Sequence, residues 1–287
     1  MSHGMTGEMK WISVLGFQKM FLGAKSMAIV GSAPSVLQWE NGSYIDSHDV
    51  VVRFNRATVD GIEKHVGTRT DVIVANDSNN LTKARSPEFT SAPKCVVAFV
   101  KTNSIGSRVQ DERQQFLDWV GNTPLFFCPG PEMLCCEIPS RKRGFSMGTY
   151  ALNALPYFLN IQRLFVTGFT MFGESTGGAG HHTKVSSRSS VTWHNAELER
   201  YVAANALAHH DCELLTTDEV AEFMEREGFT AKVKSSERNA AHLQPSRGFL
   251  IPWYCLERVG KLLITSGYHV RSFAERRILG EKARRKP

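Results

Sequence analysis

The chain has 287 residues, and its 34 Lys and Arg exceed its 28 Asp and Glu, which gives a formal net charge of +6 at pH 7. This length suffices for a substantial core, so the expected organisation is one soluble domain of about 200 residues with an extension. The sequence has no run of about 18 apolar residues, so no bilayer-spanning helix is expected.

Apolar runs alternate with helical patterns along the chain, which predicts a mostly parallel sheet with helices on both faces. The predicted strands are 27–30, 50–54, 71–75, 95–100, 125–128, 163–167 and 212–215. The predicted helices are 109–120, 148–159, 196–209 and 218–227, the last capped by Thr217. The fold class is therefore α/β. The expected parts are an N-terminal extension over 1–25, a catalytic domain over 26–231, and a linker with a basic, partly apolar C-terminal extension over 232–287.

Two strand ends near the N-terminus carry the strongest signal. The first strand leads into a turn that contains Gly31 and Ser32, and the second ends in Arg53, Phe54 and Asn55. Open α/β sheets bind ligands at the carboxyl ends of their strands, so this edge is a candidate nucleotide site. A Gly-Ser turn alone also fits an ordinary strand-to-helix corner.

The pair of strand ends resembles the long sialylmotif of glycosyltransferase family 29, the sialyltransferases. That motif has a Gly-Asn-Ser-like turn, an Ile-Asp-x-His-Asp segment and an Arg-x-Asn strand end, which match positions 31–33, 45–49 and 53–55. Residues 61–70 resemble the family's Gly-Phe-Glu-x-Asp-Val-Gly-x-Lys-Thr. Ser32 stands where the family has Asn. The resemblance implies a Rossmann-like domain of the GT-A-variant type and a donor site that includes Gly31, Ser32 and Asn55.

A second group begins at Ser146, Met147 and Gly148 and ends, after a predicted helix and strand, at Gly168 and Phe169. A helix N-terminus attracts phosphate through its free amides and its dipole. Ser146 also fits a plain helix cap. The group resembles the short sialylmotif, with Phe145 in place of the usual Pro, and this resemblance implies contact with the phosphate end of a cytidine monophosphate (CMP) sugar.

A third group consists of His181, His182 and His194, with Glu199 five residues after the last histidine. A zinc site is disfavoured because adjacent histidines diverge and no further ligand completes tetrahedral spacing. His194 and Glu199 resemble the last family motif, which implies that His194 is the catalytic general base and His182 a donor contact. Glu199 is expected to stabilise the local fold. His209 and His210 match no motif and are interpreted as solvated residues near a helix end.

The chemistry implied is inverting, metal-independent transfer of a 2-keto sugar acid, sialic acid or 3-deoxy-manno-octulosonic acid (Kdo), from its CMP donor to a glycan hydroxyl. The sequence has no Asp-x-Asp, the metal-binding pattern of many nucleoside-diphosphate-dependent transferases. No cofactor and no metal are expected beyond the CMP-sugar substrate, and no nucleic acid partner. Cys95, Cys128, Cys135, Cys136, Cys212 and Cys255 lack metal-ligand spacing and are interpreted as reduced residues of a bacterial or otherwise cytosolic relative.

Two other classes remain as alternatives. A nicotinamide-dependent oxidoreductase would use the first turn, but Gly-x-Gly-x-x-Gly and the acidic residue of the second strand are missing. A non-catalytic nucleotide- or polyanion-binding protein would explain the basic charge but not His194 with Glu199.

The C-terminal tail carries most of the net charge. Residues 271–287 contain seven Lys or Arg and two Glu, and apolar segments precede them at 249–254 and 262–264. Apolar groups beside a basic run suit an anionic membrane surface, which indicates a cytoplasmic enzyme peripheral to the inner membrane face and a lipid-linked glycan acceptor. A solvated basic tail is the equal alternative.

Overall fold

The computed structural model describes residues 11–55, 59–75, 92–99, 116–128, 145–171 and 196–234. The strands are β1 (Trp11–Ile12), β2 (Ser26–Val30), β3 (Val50–Phe54), β4 (Val72–Ala75), β5 (Cys95–Phe99), β6 (Leu125–Cys128), β7 (Arg163–Thr167), β8 (Glu213–Thr216) and β9 (Lys232–Val233). The helices are α1 (Val14–Met20), α2 (Gly42–Asp46), α3 (Glu63–Val66), α4 (116–120), α5 (Met147–Leu159), α6 (Ala196–His209) and α7 (Asp218–Arg226). A short 3-10 helix, Pro34–Gln38, follows β2.

The described strands form a single sheet in the order β1-β6-β5-β4-β3-β2-β7-β8-β9, and each neighbouring pair is parallel. Every residue of β2, β3 and β4 is buried. Continuous apolar strands of this kind are typical of parallel sheets covered on both faces, because neither face meets water. The expected α/β fold with a mostly parallel sheet is confirmed.

The centre of the sheet aligns the strand ends that matter for the site. In β2 and β7, Ala28 pairs with Phe165 and Val30 with Thr167, so the two strands finish side by side. On the other side of β2, Ile29 pairs with Val52 of β3. The turns that follow β2, β3 and β7 therefore lie next to one another at the carboxyl edge.

The opposite, amino edge is held by a network of carboxylates and one arginine. Asp49 accepts hydrogen bonds from the backbone amides of Lys25 and Ser26, each at 2.9 Å. The Asp46 carboxylate accepts from the amide of Thr68 at 2.8 Å and from that of Arg69 at 3.0 Å. The Arg69 guanidinium donates to the carbonyls of Asp46 and His48, both at 2.7 Å. Several motif residues thus build the fold and lie away from the candidate site.

The bounds of several elements agree with the sequence patterns. The ranges 50–54, 125–128, 163–167 and 196–209 are found as expected. The two edge strands, β1 and β9, lie outside the range 26–231 expected for the catalytic domain. The predicted helix over 109–120 is helical over 116–120, and its earlier residues lie outside the described ones.

The chain divides into two compact units, residues 1–137 with 141–245, and residues 138–140 with 246–287. All the described residues belong to the first unit. Across the described ranges, none of the helices combines the length and apolar character needed to cross a membrane.

Candidate functional site

The turns after β2 and β7 pack backbone against backbone through two glycines. The Gly31 amide donates to the Thr167 carbonyl at 2.8 Å, and the Ala33 amide donates to the Gly168 carbonyl at 3.0 Å. A Cβ on Gly31 would lie 2.1 Å from the Gly168 oxygen, which no side chain can accept. Gly168 also has a φ of +75°, the left-handed region that favours glycine. Both positions therefore require glycine.

Phe169 joins the first two sequence groups. Its side chain is 8% exposed, and its ring lies perpendicular to that of Phe54 with the centroids 5.5 Å apart. A Cβ on Gly148 would lie 2.9 Å from this ring, and a Cβ on Gly31 would lie 3.0 Å from it. The glycines of both groups thus make room for one aromatic ring, which brings the start of α5 to the ends of β2 and β3.

Helix α5 begins at this edge, and Ser146 caps it. Ser146 has extended backbone angles (φ −64°, ψ 154°), and its Oγ accepts a hydrogen bond from the Thr149 amide at 3.3 Å. The amides of Met147 and Gly148 lie in the first turn, where an α-helix has no acceptor of its own to offer. No residue of the first turn itself is acidic, and the carboxylate at this N-terminus is supplied by another helix.

Glu199 holds the N-terminus of α5 from the neighbouring helix α6. Its carboxylate is fully buried and accepts from the Ser146 amide and from the Thr149 hydroxyl, each at 2.8 Å. This arrangement agrees with the interpretation of Glu199 as a residue that stabilises the local fold. Thr149 was not singled out in the sequence, although it lies three residues after the capping serine, where cap bonds form.

Asn55 and Ser32 follow adjacent strand ends. Asn55 has a left-handed φ of 53°, and its amide donates to the Val74 carbonyl at 2.9 Å, which ends β3 in a sharp turn. Asn tolerates this conformation better than most residues. Both residues are partly exposed at the edge of the sheet, as a ligand-binding role requires.

Arg53 does not present its charge to this edge, which corrects the sequence interpretation. It is 3% exposed, and its guanidinium donates to the Arg69 carbonyl at 3.0 Å, to the Thr70 hydroxyl at 3.1 Å and to the carbonyl of Val66, the last residue of α3. Burial lowers the pKa of Arg53 to about 10. The arginine therefore ties α3 to β3 instead of meeting a ligand.

The three histidines of the third group, His181, His182 and His194, lie outside the described residues. Of the two that matched no motif, His209 is exposed, as expected. His210 is not solvated, because its Nε2 bonds the Leu152 carbonyl of α5 at 2.7 Å. His210 lies at the end of α6, as expected, but it is half-buried and links α6 to α5, so the prediction that it is solvated is wrong.

The described cysteines are free thiols, and two of them are core residues of neighbouring strands. Burial raises the pKa of Cys95 and of Cys128 to about 12, so both are neutral at physiological pH. Across the described ranges there is no cluster of three His, Cys, Asp or Glu side chains able to hold a metal ion. The three histidines weighed for zinc fall outside those ranges.

The long-motif residues Gly31, Ser32 and Asn55 are thus close together with the start of α5, and they fall within a segment that matches a known family. Residues 18–105 match the model of glycosyltransferase family 29 (sialyltransferase). The family resemblance is confirmed for this segment. The residues at 146–148 and 168–169 and the histidines lie outside the matched range, and their motif assignments remain predictions.

Curated relatives of the same family match a short stretch. Over 54 residues the chain is 48% identical to beta-galactoside alpha-2,6-sialyltransferase 2 of Rattus norvegicus, and 46% identical to the Homo sapiens protein of that name. These matches cover 19% of this chain and 10% of each relative.

Among solved structures, a mammalian sialyltransferase in complex with Gal-beta-1-3GalNAc-ortho-nitrophenol is similar over 71% of this chain and 73% of its own, with a TM-score of 0.47 and 16% identity. A second mammalian sialyltransferase structure gives a TM-score of 0.43 and 16% identity over 68% of this chain and 70% of its own.

Proposed function

We propose that this protein is an inverting, metal-independent glycosyltransferase that transfers sialic acid from its CMP-activated donor to a glycan hydroxyl. The observation that carries this proposal is the meeting of the Gly31 and Gly168 turns with the capped N-terminus of α5, within and beside the segment that matches family 29. A parallel sheet whose strand ends face a helix N-terminus is suited to a nucleotide phosphate.

The donor would lie along this edge of the sheet. The first-turn amides of α5, at Met147 and Gly148, supply hydrogen-bond donors for the phosphate of CMP. Ser146, Ser32 and Asn55 add polar groups around them. Gly31, Gly168 and Phe169 shape the turn, since the Gly31 amide and the Gly168 carbonyl already bond within the protein. His182 is proposed as a further donor contact.

The reaction is a direct displacement at the anomeric carbon of the sugar acid. His194 takes the proton from the acceptor hydroxyl as the acceptor oxygen bonds to this carbon, and the bond from the carbon to the phosphate oxygen breaks with inversion. CMP leaves with the bonding electrons as a phosphate monoester. Such a leaving group needs less neutralisation than a nucleoside diphosphate, so hydrogen bonds and a helix dipole can replace a metal.

The contacts of Glu199 support this role for His194. Glu199 lies in the first turn of α6 and is bonded to the first residues of α5 at 2.8 Å. One residue, Asn195, separates His194 from the first residue of α6 in the sequence. The start of α6, which is next to the proposed base in sequence, is thus bonded to the start of α5, the helix proposed to bind the phosphate.

Binding of CMP to the wild-type protein tests the nucleotide assignment. Calorimetry in the presence of EDTA should detect one CMP site, with UMP bound more weakly. Failure to bind CMP would contradict the proposal. CMP binding without transfer to any glycan would instead favour the non-catalytic nucleotide-binding alternative. Kdo is the second 2-keto sugar acid to test as a donor.

The basic tail supports a further proposal about location. Residues 271–287 lie outside the described ones, and their excess of Lys and Arg would attract anionic lipid at the inner face of the cytoplasmic membrane. In a co-sedimentation assay, the full chain should bind anionic vesicles at low salt, and a truncation after Ser246 should not. Failure of the full chain to sediment with the vesicles would overturn membrane docking.

A further inference from the structure

A buried carboxylate outside every sequence motif bonds to the turn after β7 in the candidate donor site. Glu219, in the first turn of α7, is 6% exposed. Its Oε1 accepts from the Gly168 amide at 2.9 Å and from the Thr217 hydroxyl at 2.7 Å. Its Oε2 accepts from the indole nitrogen of Trp39 at 3.1 Å. Thr217 is the N-cap residue of α7, as predicted, but its hydroxyl donates to Glu219 and makes no cap bond to the helix amides.

Two of these donors, Gly168 and Trp39, come from segments that follow the neighbouring strands β7 and β2. Gly168 is the first residue after β7, and Trp39 follows the 3-10 helix that leads away from the turn after β2. The same two turns pack against each other through Gly31 and Gly168. One carboxylate thus braces both turns.

The contacts require a carboxylate and not merely a polar group. Both oxygens face donors, and a carboxylate is the side chain that offers two acceptors at these positions. A Gln side chain would turn its NH₂ group toward either the Gly168 amide or the indole of Trp39. Both of these groups are hydrogen-bond donors, so the NH₂ group would replace one hydrogen bond with a donor–donor repulsion. Among the described residues, the ion pairs involve other carboxylates, so neutral donors hold the Glu219 carboxylate.

We infer that Glu219 is a positioning residue that fixes the turn after β7, and through it the turn after β2, in the geometry that binds the CMP phosphate. This inference rests on the proposed function. Because the Gly168 amide donates to Glu219 and the Gly168 carbonyl accepts from Ala33, the peptide groups on both sides of Gly168 are held and cannot rotate toward a ligand. Gly168 thereby holds Gly31 and Ser32 in place for the donor.

The test compares Glu219→Gln with Glu222→Gln, which removes an exposed carboxylate from the same helix. Calorimetry with CMP should give a Kd about tenfold higher for Glu219→Gln and unchanged for Glu222→Gln. With CMP-sialic acid, KM should rise about as much as Kd, while kcat at saturating donor stays within about threefold of wild type. Trp39→Phe removes one brace without a donor conflict, so it should raise Kd by less.

The double variant provides the sharpest arm. In the double variant Glu219→Gln with Trp39→Phe, the oxygen of the glutamine side chain can accept from Gly168, and its NH₂ group no longer meets the indole. The CMP affinity should therefore recover toward that of Trp39→Phe alone. A purely structural role would lower the number of CMP sites per chain and leave the Kd of the folded fraction unchanged, and that result would overturn the inference. Wild-type protein that does not bind CMP would instead overturn the proposed function, and this inference with it.

Discussion

The carboxylate of Glu199 accepts a hydrogen bond from the backbone amide of Ser146 at 2.8 Å, across 53 residues of sequence. Ser146 caps α5, the helix proposed to bind the donor phosphate. Glu199 lies in the first turn of α6, and this helix follows the proposed base in sequence. The contact therefore ties the start of the phosphate-binding helix to the helix that follows His194.

Removal of this carboxylate should destabilise the protein more than removal of its exposed neighbour on the same helix. Glu199→Ala leaves the Ser146 amide and the Thr149 hydroxyl without their acceptor in a buried place. The free energy of unfolding should fall by about 3 kcal/mol. Glu197→Ala, at an exposed position, should change it by less than about 0.5 kcal/mol. Urea denaturation measures both, and equal effects would contradict the structural role of Glu199.

The close approach of the two turns can be separated from backbone strain with a pair of glycine variants. Gly168 and Gly61 have nearly the same φ, +75° and +77°, but a Cβ on Gly168 would lie 2.7 Å from the Gly31 oxygen, whereas a Cβ on Gly61 meets nothing within 4 Å. Both Gly→Ala variants should lose about 1 kcal/mol to strain. Gly168→Ala should lose about 2 kcal/mol more through overpacking. Thermal unfolding measures both losses of stability. Equal losses in the two variants would contradict the tight contact at Gly168.

Ser146→Ala and Asn55→Ala should each weaken CMP binding, by about 1 kcal/mol or somewhat more per lost hydrogen bond. Ser13→Ala is the matched control for Ser146, because Ser13 caps α1 through the same bond, from the Gly16 amide at 3.1 Å. Both serine variants should lose about 1 kcal/mol of stability as caps. Only Ser146→Ala should also lose affinity for CMP in calorimetry, and unchanged affinity would remove Ser146 from the donor site.

His194→Ala should lower turnover by about a hundredfold or more and leave CMP binding largely intact, the effect expected for a general base. His209→Ala, an exposed histidine on α6, is the control and should retain wild-type turnover. Steady-state kinetics with CMP-sialic acid measure both variants. Wild-type turnover in His194→Ala would show that another group takes the proton.

The buried histidines predict how stability depends on pH. Burial lowers the pKa of His210 and of His48 below the ordinary value of about 6.5. Below about pH 6.5 these histidines are therefore protonated in the unfolded chain but still neutral in the folded protein. Their contribution to the free energy of unfolding is full above this pH and falls as the pH drops toward the lowered pKa values. His210→Gln should flatten this dependence relative to the wild-type protein. Urea denaturation at pH 5 and at pH 7 measures the loss of unfolding free energy between the two pH values. The same loss in His210→Gln as in the wild-type protein would contradict this prediction.

The sequence predicted the parts of the fold that local patterns control. The mostly apolar runs at 50–54 and 163–167 identified β3 and β7 because strands buried on both faces are near-continuous in apolar residues. The two-residue edge strands β1 and β9 are too short for any periodicity, and they depend on pairing with β6 and β8.

The site was predictable where backbone constraints act through single residues. Gly31 and Gly168 were identified, since a turn that admits no side chain selects glycine. Arg53 was interpreted wrongly, and Glu219 was not identified. Both roles arise from partners distant in sequence: the carbonyl of Val66 for the arginine, and the indole of Trp39 for the glutamate. A charged residue in a sequence gives no indication of whether its partner will be a ligand or the protein backbone.

The donor screen tests the central claim most directly. Wild-type protein is incubated with a panel of glycan acceptors and with CMP-sialic acid, CMP-Kdo or a UDP-sugar, each with and without EDTA. The account predicts transfer from CMP-sialic acid, with release of CMP, at the same rate in EDTA, and no transfer from the UDP-sugar. Activity that EDTA abolishes and Mg²⁺ or Mn²⁺ restores, or transfer from the UDP-sugar alone, would contradict it.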